Sequence, residues 1–198
     1  MSVIVNLRGP GGSGKTTSVR KFMKLFASME PIIDTEPRYG KTGRLLKPRI
    51  LGYQNHGTFR VVGSYETDCG GCDTISDQAT IRRLIEEWAD AGYDVVFEGL
   101  LISSIWGTWL DFGHKMEDKG HTYVWAFMNT PLDQCVKNIY KRNGGKPIKE
   151  SLVKAKWDIN QEHIRRTSED GFLSFVINNW EQGGEGLSAA LEFARERR

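Results

Sequence analysis

"GPGGSGKT", residues 9–16, is the stretch that decides the fold, because it matches the phosphate-binding pattern G-x-x-x-x-G-K-[ST]. It follows "VIVNL" (3–7), an apolar segment typical of a strand, and precedes "TTSVRKFMKLFAS" (16–28), whose apolar residues recur at helical spacing. Glycines in such a loop let successive backbone N–H groups point at phosphate oxygens, and the helix N-terminus adds the positive end of a dipole. The sequence therefore predicts a nucleoside-triphosphate site.

The last two residues of the motif have separate roles in the predicted nucleotide site. Lys15 is expected to contact the β- and γ-phosphates of ATP, and the Thr16 hydroxyl to ligate Mg²⁺. The sequence has no guanine-specific N-K-x-D segment, which argues against a switch GTPase. The residues predicted to bind ATP are Gly9, Gly11, Gly12, Ser13, Gly14, Lys15, Thr16 and Thr17.

Length and composition favour one globular P-loop kinase domain over residues 1–198. Hydrophobic residues make up 39% of the chain, charged residues 26%, and the formal net charge is +2. No apolar run approaches the ~20 residues of a membrane span, and the N-terminus lacks a secretory cleavage signal. We therefore expect a cytoplasmic protein with no membrane partner, whose three cysteines are thiols.

Segments typical of strands and helices alternate along the whole chain, which predicts a three-layer α/β P-loop fold. The expected sheet is parallel and five-stranded, with helices on both faces. "RILGY" and "TFRVVGSY" resemble a β-hairpin, predicted to be an insertion at about 44–68. The predicted strands are 3–7, 31–35, 93–101, 122–129 and 172–178, and the predicted helices are 16–28, 76–92, 131–143, 148–169 and 186–198.

Carboxylates at the carboxyl ends of strands are the first candidates for catalysis, because parallel sheets bind ligands there. The chain resembles the small P-loop kinases of nucleosides, nucleotides and polynucleotides. That resemblance implies a catalytic base at Asp34 in "IIDTEPR" and a substrate contact at Glu36, although both residues are equally consistent with a helix cap or a surface loop. Glu98, in "DVVFEG", is expected to hold Mg²⁺ or polarise the attacking group; the alternative is an exposed strand-end charge.

Two basic segments flank the predicted site. "CVKNIYKRNGGKPIKESLVKAK" (135–156) resembles a kinase lid, expected at about 141–157, in which Arg142 stabilises phosphoryl charge; a solvated helix face is the alternative. "RYGKTGRLLKPR" (38–49) has five basic residues and no acidic residue, which suits a DNA backbone and makes Arg38 a candidate substrate contact. Composition alone favours a flexible, soluble loop for that segment.

"YETDCGGCDTIS" (65–76) allows three interpretations. Cys69 and Cys72 supply only two of the four ligands that structural zinc needs, and a redox dithiol usually begins a helix after a strand. A glycine-rich turn fits the surroundings best, because it allows close backbone approach to a ligand. It would carry Asp73 and Thr74 to the start of a helix near residue 76, as acceptor contacts or caps.

"NLRGPGGSGKT", "VVGSYETDCGGCDTI" and "VVFEG" together are similar to the phage DNA kinases that act on 5-hydroxymethyluracil, over roughly the N-terminal half of the chain. The resemblance implies ATP-dependent phosphorylation of the base's hydroxymethyl group within viral DNA, in thymidine hypermodification. Asp34, Asp73 and Glu98 remain separate candidates for the base. A target inside a duplex must be flipped out, so aromatic residues such as Tyr39, Tyr53 or Tyr65 would be needed for stacking.

Two alternatives to a DNA kinase stay open. The same sheet and lid would suit a kinase of a free nucleoside or nucleotide. A nucleoside-triphosphate-dependent switch or binding module is the second alternative, although the missing guanine-specific segment and the basic lid argue against it.

Overall fold

The computed structural model describes residues 1–26, 28–178 and 180–197. Within this part of the chain, seven strands alternate with seven α-helices. In chain order these elements are β1 (Val3–Arg8), α1 (Lys15–Lys24), β2 (Glu30–Ile33), β3 (Ile50–Gln54), β4 (Phe59–Val62), α2 (Gln78–Asp90), β5 (Asp94–Glu98), α3 (Leu100–Ser104), α4 (Gly107–Asp118), β6 (Thr122–Met128), α5 (Leu132–Arg142), α6 (Glu150–Glu169), β7 (Ser174–Ile177) and α7 (Gly183–Arg195).

All seven strands form one sheet in the order β2-β3-β4-β5-β1-β6-β7. The neighbours from β4 to β7 pair in parallel, whereas β3 is antiparallel to both β2 and β4. The predicted α/β fold is therefore confirmed, but the sheet has seven strands and two antiparallel pairings in place of the five parallel strands expected. β1 lies near the middle of the sheet, so the phosphate-binding loop that follows it opens at the centre of the carboxyl edge.

The strands on one side of the sheet, β2, β3 and β4, differ from those that the sequence predicted. The hairpin is not an insertion, because its second strand, β4, pairs in parallel with β5. The segment at 31–35, predicted to be a core strand, instead forms the edge strand β2 outside β3. Burial explains the exchange: Phe59, Val61 and Val62 of β4 are buried, while three of the four residues of β2 are exposed.

Alternation along β1 divides the core into two layers. Val3, Val5 and Leu7 face one side of the sheet, where they pack with residues of α1 and α7, while Ile4 faces the layer built by α2, α3 and α4. Phe22 of α1 belongs to the first layer. Helices thus cover both faces, which is what the strands' nearly continuous apolar character requires.

Helix boundaries follow local chemistry where capping signals are present. α2 begins after Asp77, whose Oδ1 accepts a hydrogen bond from the Thr80 N–H at 2.7 Å, and it ends before Gly92, which has φ +91°. Both features agree with the predicted helix at 76–92. α3 and α4 were not predicted, because apolar and aromatic residues surround this segment without a clear period; Trp109 of α4 is fully buried.

None of the helices in the described ranges combines the length and apolarity that a membrane span requires.

Candidate active site

The loop between β1 and α1 has the geometry of an anion cradle. Gly12 and Gly14 adopt positive φ values of +77° and +91°, which places this backbone in a region that favours glycine. Glycine at position 12 is also needed for space, since a Cβ there would collide with the Cys135 carbonyl of α5. α5 is therefore packed directly against the phosphate-binding loop.

Lys15 is buried at the start of α1, and no carboxylate in the described part of the chain forms an ion pair with it. Its Nζ donates hydrogen bonds to the carbonyl oxygens of Gly9 at 2.8 Å and Pro10 at 3.2 Å. Burial lowers the pKa of Lys15, and the nearby carboxylates of Glu98 and Asp73 act against that shift. A buried ammonium group held only by loop carbonyls is suited to bind an anion such as a triphosphate.

The cradle opens into a cleft of about 1230 Å³. Its walls are the phosphate-binding loop, the segment after β4, the junction of β5 with α3, and the C-terminal turn of α5. Of the predicted site residues, the cleft is lined by Gly11, Gly12, Ser13, Gly14, Lys15, Thr16, Thr17, Asp73, Glu98 and Arg142. Gly9 does not line the cleft, but its carbonyl fixes Lys15.

Glu98 ends β5 and is only 1% exposed. Its Oε1 accepts a hydrogen bond from the Thr16 hydroxyl at 2.9 Å. Burial raises the pKa of Glu98 to about 7, with Lys15 and Thr16 partly offsetting the shift. A hydroxyl and a single buried carboxylate are hard oxygen donors, and Mg²⁺ commonly takes a few such ligands together with substrate phosphates. Thr16 and Glu98 therefore fit the predicted metal site.

Asp73 reaches the same cleft from the segment after β4. It lies in a single-turn 3₁₀ helix, Cys72–Thr74, and its Oδ2 accepts a hydrogen bond from the Leu100 N–H at 2.8 Å. β4 is the neighbour of β5 in the sheet, so this segment and Glu98 come from adjacent strand ends. The glycine-rich turn was expected to bring its backbone close to a ligand, and it brings that backbone close to Glu98. Gly71 has φ +74°, and a Cβ added to it would collide with the Glu98 carboxylate.

Arg142 is the last residue of α5 and lines the cleft opposite Asp73's segment. Burial is the main cause of the lowered Lys15 pKa, and the positive charge of Arg142 lowers that pKa further. α5 is held in place by Asn138, whose Nδ2 donates to the Gly12 carbonyl at 2.8 Å. Asn138 was not predicted as a site residue, because a lone asparagine in a helix carries no spacing signal.

Arg8, immediately before the phosphate-binding loop, was also missed. It is fully buried, and its Nη2 donates to the carbonyls of Ser103 at 3.1 Å and Ile105 at 2.8 Å. Its guanidinium lies 5.7 Å from the ring centroid of Trp106 and 5.1 Å from that of Trp125. Burial lowers the Arg8 pKa to about 10. This residue ties the end of β1 to α3 from behind the cradle.

Asp34, Glu36 and Arg38, which lie close together in the sequence, are outside the cleft. Four strand spacings separate β2 from β1, which is roughly 19 Å. Asp34 pairs instead with Arg49, with Oδ2 and Nη2 3.2 Å apart, and its Oδ1 accepts a bond from the Glu36 N–H. The structure thus does not bring Asp34 together with Lys15, because the strand that precedes it is at the sheet edge.

The proposed substrate contacts Tyr65 and Thr74 are structural in this fold. Tyr65 is 6% exposed and belongs to the apolar core, and its N–H donates to Tyr53 Oη at 3.4 Å. The Thr74 hydroxyl donates to the Gly71 carbonyl at 2.7 Å and accepts from the Ser64 N–H. The Tyr65 ring is buried in the core and so is not available to stack on a base, and neither residue lines the cleft.

The two cysteines differ in their surroundings. Cys69 is exposed and Cys72 is buried, and burial raises the pKa of the Cys72 thiol well above its usual value. A thiol so disposed is a poor thiolate ligand or nucleophile. Among the described residues, no group of three or more histidine, cysteine or acidic side chains could hold a metal ion. The structure thus offers no support for the zinc or dithiol interpretations.

Comparisons with known proteins agree on one family. A family profile described as 5-hmdU DNA kinase matches residues 49–177, a range that begins after the phosphate-binding loop and so does not depend on that common motif. A protein of Pseudomonas phage M6 named 5-hmdU DNA kinase is 33% identical over 200 residues, covering 95% of this chain and 97% of the relative. The 5-hmdU DNA kinase of Pseudomonas phage PaMx11 is 32% identical over 143 residues, covering 72% and 70%.

Proposed function

This chain belongs to the 5-hmdU DNA kinase family, and on that premise we propose that it transfers the γ-phosphoryl group of ATP to the hydroxymethyl group of 5-hydroxymethyl-deoxyuridine in DNA. The observation that carries the proposal is the convergence of Lys15, Asp73 and Glu98 on one cleft beside a phosphate-binding loop. These are the charges that phosphoryl transfer needs: a cation for the phosphates, and carboxylates for the metal and for the acceptor hydroxyl.

The loop amides and Lys15 hold the phosphates, and their positions are set before the nucleotide arrives. Asn138 and the close fit at Gly12 fix the loop against α5, so little reorganisation is required. Arg142, at the end of α5, is placed to stabilise charge on the transferring group. The loop that follows, with Gly144 and Gly145 at positive φ, gives the proposed lid a hinge.

Thr16 and Glu98 would hold Mg²⁺, which supplies charge neutralisation of the phosphates when bound. Both groups supply oxygen, and their 2.9 Å hydrogen bond already brings them together. The bound cation would favour the ionised form of Glu98 and so oppose the rise in its pKa that burial causes.

Asp73 is the preferred catalytic base among the three carboxylates of the sequence analysis. It lines the cleft, whereas Asp34 is paired with Arg49 outside it. Glu98 is buried and committed to Thr16. Asp73 holds its position through the Leu100 N–H with Oδ2, and its Oδ1 is left to orient the hydroxymethyl group and accept its proton.

The deciding experiment measures transfer of labelled γ-phosphate to an oligonucleotide that contains 5-hydroxymethyluracil and, in parallel, to the free nucleoside. We expect label in the oligonucleotide. Label only in the nucleoside would establish the alternative, a kinase of free nucleosides. ATP hydrolysis at a rate that neither acceptor changes would favour a nucleotide-dependent switch.

The proposed base is tested in the same assay by Asp73→Asn. Because the amide cannot accept the proton, kcat is expected to fall about 10²-fold or more, with the KM for ATP nearly unchanged. Cys69→Ser, an exposed neighbour in the same cleft, is the control and should keep near wild-type turnover. Equal losses from the two substitutions would contradict this role for Asp73.

A further inference from the structure

The segment between β2 and β3 forms a small two-stranded ribbon that is followed by Lys47, and we call residues 38–47 the arm. Tyr39 and Leu45 form an antiparallel bridge, the Gly40 N–H donates to the Arg44 carbonyl at 2.8 Å, and the Leu46 N–H donates to the Arg38 carbonyl at 2.8 Å. The ribbon is therefore an ordered hairpin and not the flexible loop that its composition favours.

The arm is attached to the rim of the active-site cleft. At its base, Arg49 pairs with Asp34 and also donates to the Ser76 hydroxyl at 3.4 Å, and Ser76 lines the cleft. The Asp34 N–H and the Arg49 carbonyl close the base with a hydrogen bond of 2.8 Å. Asp34, which the sequence suggested as a catalytic base, thus anchors the arm beside the cleft through its pair with Arg49.

The arm carries three exposed cations. Lys41, Arg44 and Lys47 are exposed, and among the described residues none of them forms an ion pair with a carboxylate. Other exposed cations do pair with acidic side chains: Lys115 of α4 and Lys119, which follows that helix, both contact Glu86 of α2. A stretch of unpaired positive charge beside a cleft that takes DNA is suited to phosphate contacts.

The arm also exposes large apolar side chains. Tyr39 is 66% exposed, its bridge partner Leu45 is 60% exposed, and Leu46 is 41% exposed. No aromatic side chain lines the cleft within the described residues, so the rings expected to stack on the base are not at the catalytic centre. Proteins that unstack DNA insert such apolar side chains between bases, and a two-stranded ribbon fits a DNA groove.

We propose that the arm is the DNA-binding element of this kinase: Lys41, Arg44 and Lys47 contact backbone phosphates, and Tyr39 with Leu45 enters the duplex where the target base leaves it. This inference rests on the proposed function and adds the surface that captures the polymer. Base extrusion costs a few kcal/mol of unstacking, and side chains that fill the gap offset part of that cost.

The phosphate contacts are tested by fluorescence anisotropy with an unmodified duplex oligonucleotide, so that the test is independent of the chemistry. The variant Lys41→Gln/Arg44→Gln/Lys47→Gln should bind at least about tenfold more weakly, and the slope of log Kd against log salt should fall by about three. Arg83→Gln/Lys115→Gln/Lys119→Gln removes the same charge from cations that are already paired, and should bind like the wild type.

The proposal would be overturned if the arm variant bound the duplex with the same affinity as the wild type and with the same slope of log Kd against log salt. The outcome is separate from that of the proposed function, which fails only if wild-type enzyme leaves 5-hydroxymethyluracil DNA unlabelled. An unchanged KM for ATP and an unchanged circular dichroism spectrum in the arm variant exclude misfolding as the cause of lost binding.

Insertion is tested by Tyr39→Ala/Leu45→Ala. Activity on a fully paired duplex should fall about tenfold or more, while activity on single-stranded DNA or on a mismatched target should fall much less, because extrusion there costs little. Leu25→Ala, an exposed leucine at the far end of α1, should change neither activity. Equal losses on paired and unpaired substrates would overturn the insertion role.

Discussion

Glu98 combines three features at the residue scale: nearly complete burial, a hydrogen bond from Thr16, and a position next to Lys15's charge. Burial outweighs the favourable contacts, so the pKa of the carboxyl group is raised from 4.5 to about 7. In the free enzyme, burial therefore makes the ionised form of Glu98 unfavourable, and the charge of a bound cation would offset that free-energy cost. The residue is prepared for a metal and is poorly satisfied without one.

That cost predicts a pH dependence of stability. Because the folded state binds the Glu98 proton more tightly than the unfolded state, its contribution is complete below about pH 4.5 and is lost as pH rises to about 7. The loss amounts to about 3 kcal/mol. Glu98→Gln should abolish it, so the difference in unfolding free energy between variant and wild type should grow in favour of the variant over this range.

Urea unfolding with a metal chelator and without nucleotide, from pH 4.5 to pH 7.5, measures the difference. Comparing the two proteins at each pH cancels the groups that titrate in both. Parallel stability curves would show that folding does not raise the pKa of Glu98.

At the scale of elements, the catalytic carboxylates depend on a close contact between two loops and β5. Gly63, after β4, and Gly71, in the Asp73 segment, both have positive φ and touch each other's backbone. Gly71 in turn lies against Glu98, where an added Cβ would be 2.8 Å from both the carboxyl carbon and the backbone carbonyl oxygen. Glycine at this position is what allows Asp73 and Glu98 to share one cleft.

Gly71→Ala is therefore expected to damage both stability and activity. Gly71 has φ +74° and ψ −152°, a conformation that costs alanine about 1–3 kcal/mol, and the collision with the β5 backbone adds more. We expect a loss of about 2–4 kcal/mol in unfolding free energy and about 10²-fold in kcat/KM. Gly171→Ala has the same φ of +74° with open space around it, so it shows the cost of a positive φ without a steric contact. Similar losses in the two variants would argue against the contact with Glu98.

At the scale of the whole molecule, Asp94 joins three elements at the edge of the sheet opposite the active site. Its Oδ1 accepts from the Val3 N–H at 2.7 Å, and its Oδ2 accepts from Arg195 Nε and Nη2 at 2.9 and 2.6 Å. β1, β5 and α7 are thereby connected across more than 90 positions of the chain. The side chain is only 7% exposed, so the charge pair is well shielded from solvent on the carboxylate side.

Asp94→Ala should lower the unfolding free energy by about 3 kcal/mol, since it leaves a buried N–H and the Arg195 guanidinium without this carboxylate. The KM for ATP should not change, because the site is at the other edge of the sheet. Asp133→Ala removes an exposed carboxylate that pairs with Lys137, and it should cost less than about 0.5 kcal/mol. Chemical denaturation of the three proteins provides the comparison, and equal stabilities would contradict this role.

The sequence by itself determined those features that depend on near neighbours in the chain. The phosphate-binding loop, Lys15 at the start of α1 and Glu98 at the end of β5 are all set by a short pattern and its flanking periodicity. The cap and stop of α2 were predicted for the same reason. Each of these depends on backbone dihedrals and hydrogen bonds within a few residues.

Only the tertiary structure decided which distant segments meet. Asp34 and Asp73 both follow apolar strands, but β4 pairs with β5 while β2 lies at the edge, so one carboxylate reaches the cleft and the other anchors the arm. Tyr65 likewise looked available for stacking and is in the core. Strand order and burial arise from competition among all apolar segments for the same core, and that competition leaves no trace in the spacing of any one segment.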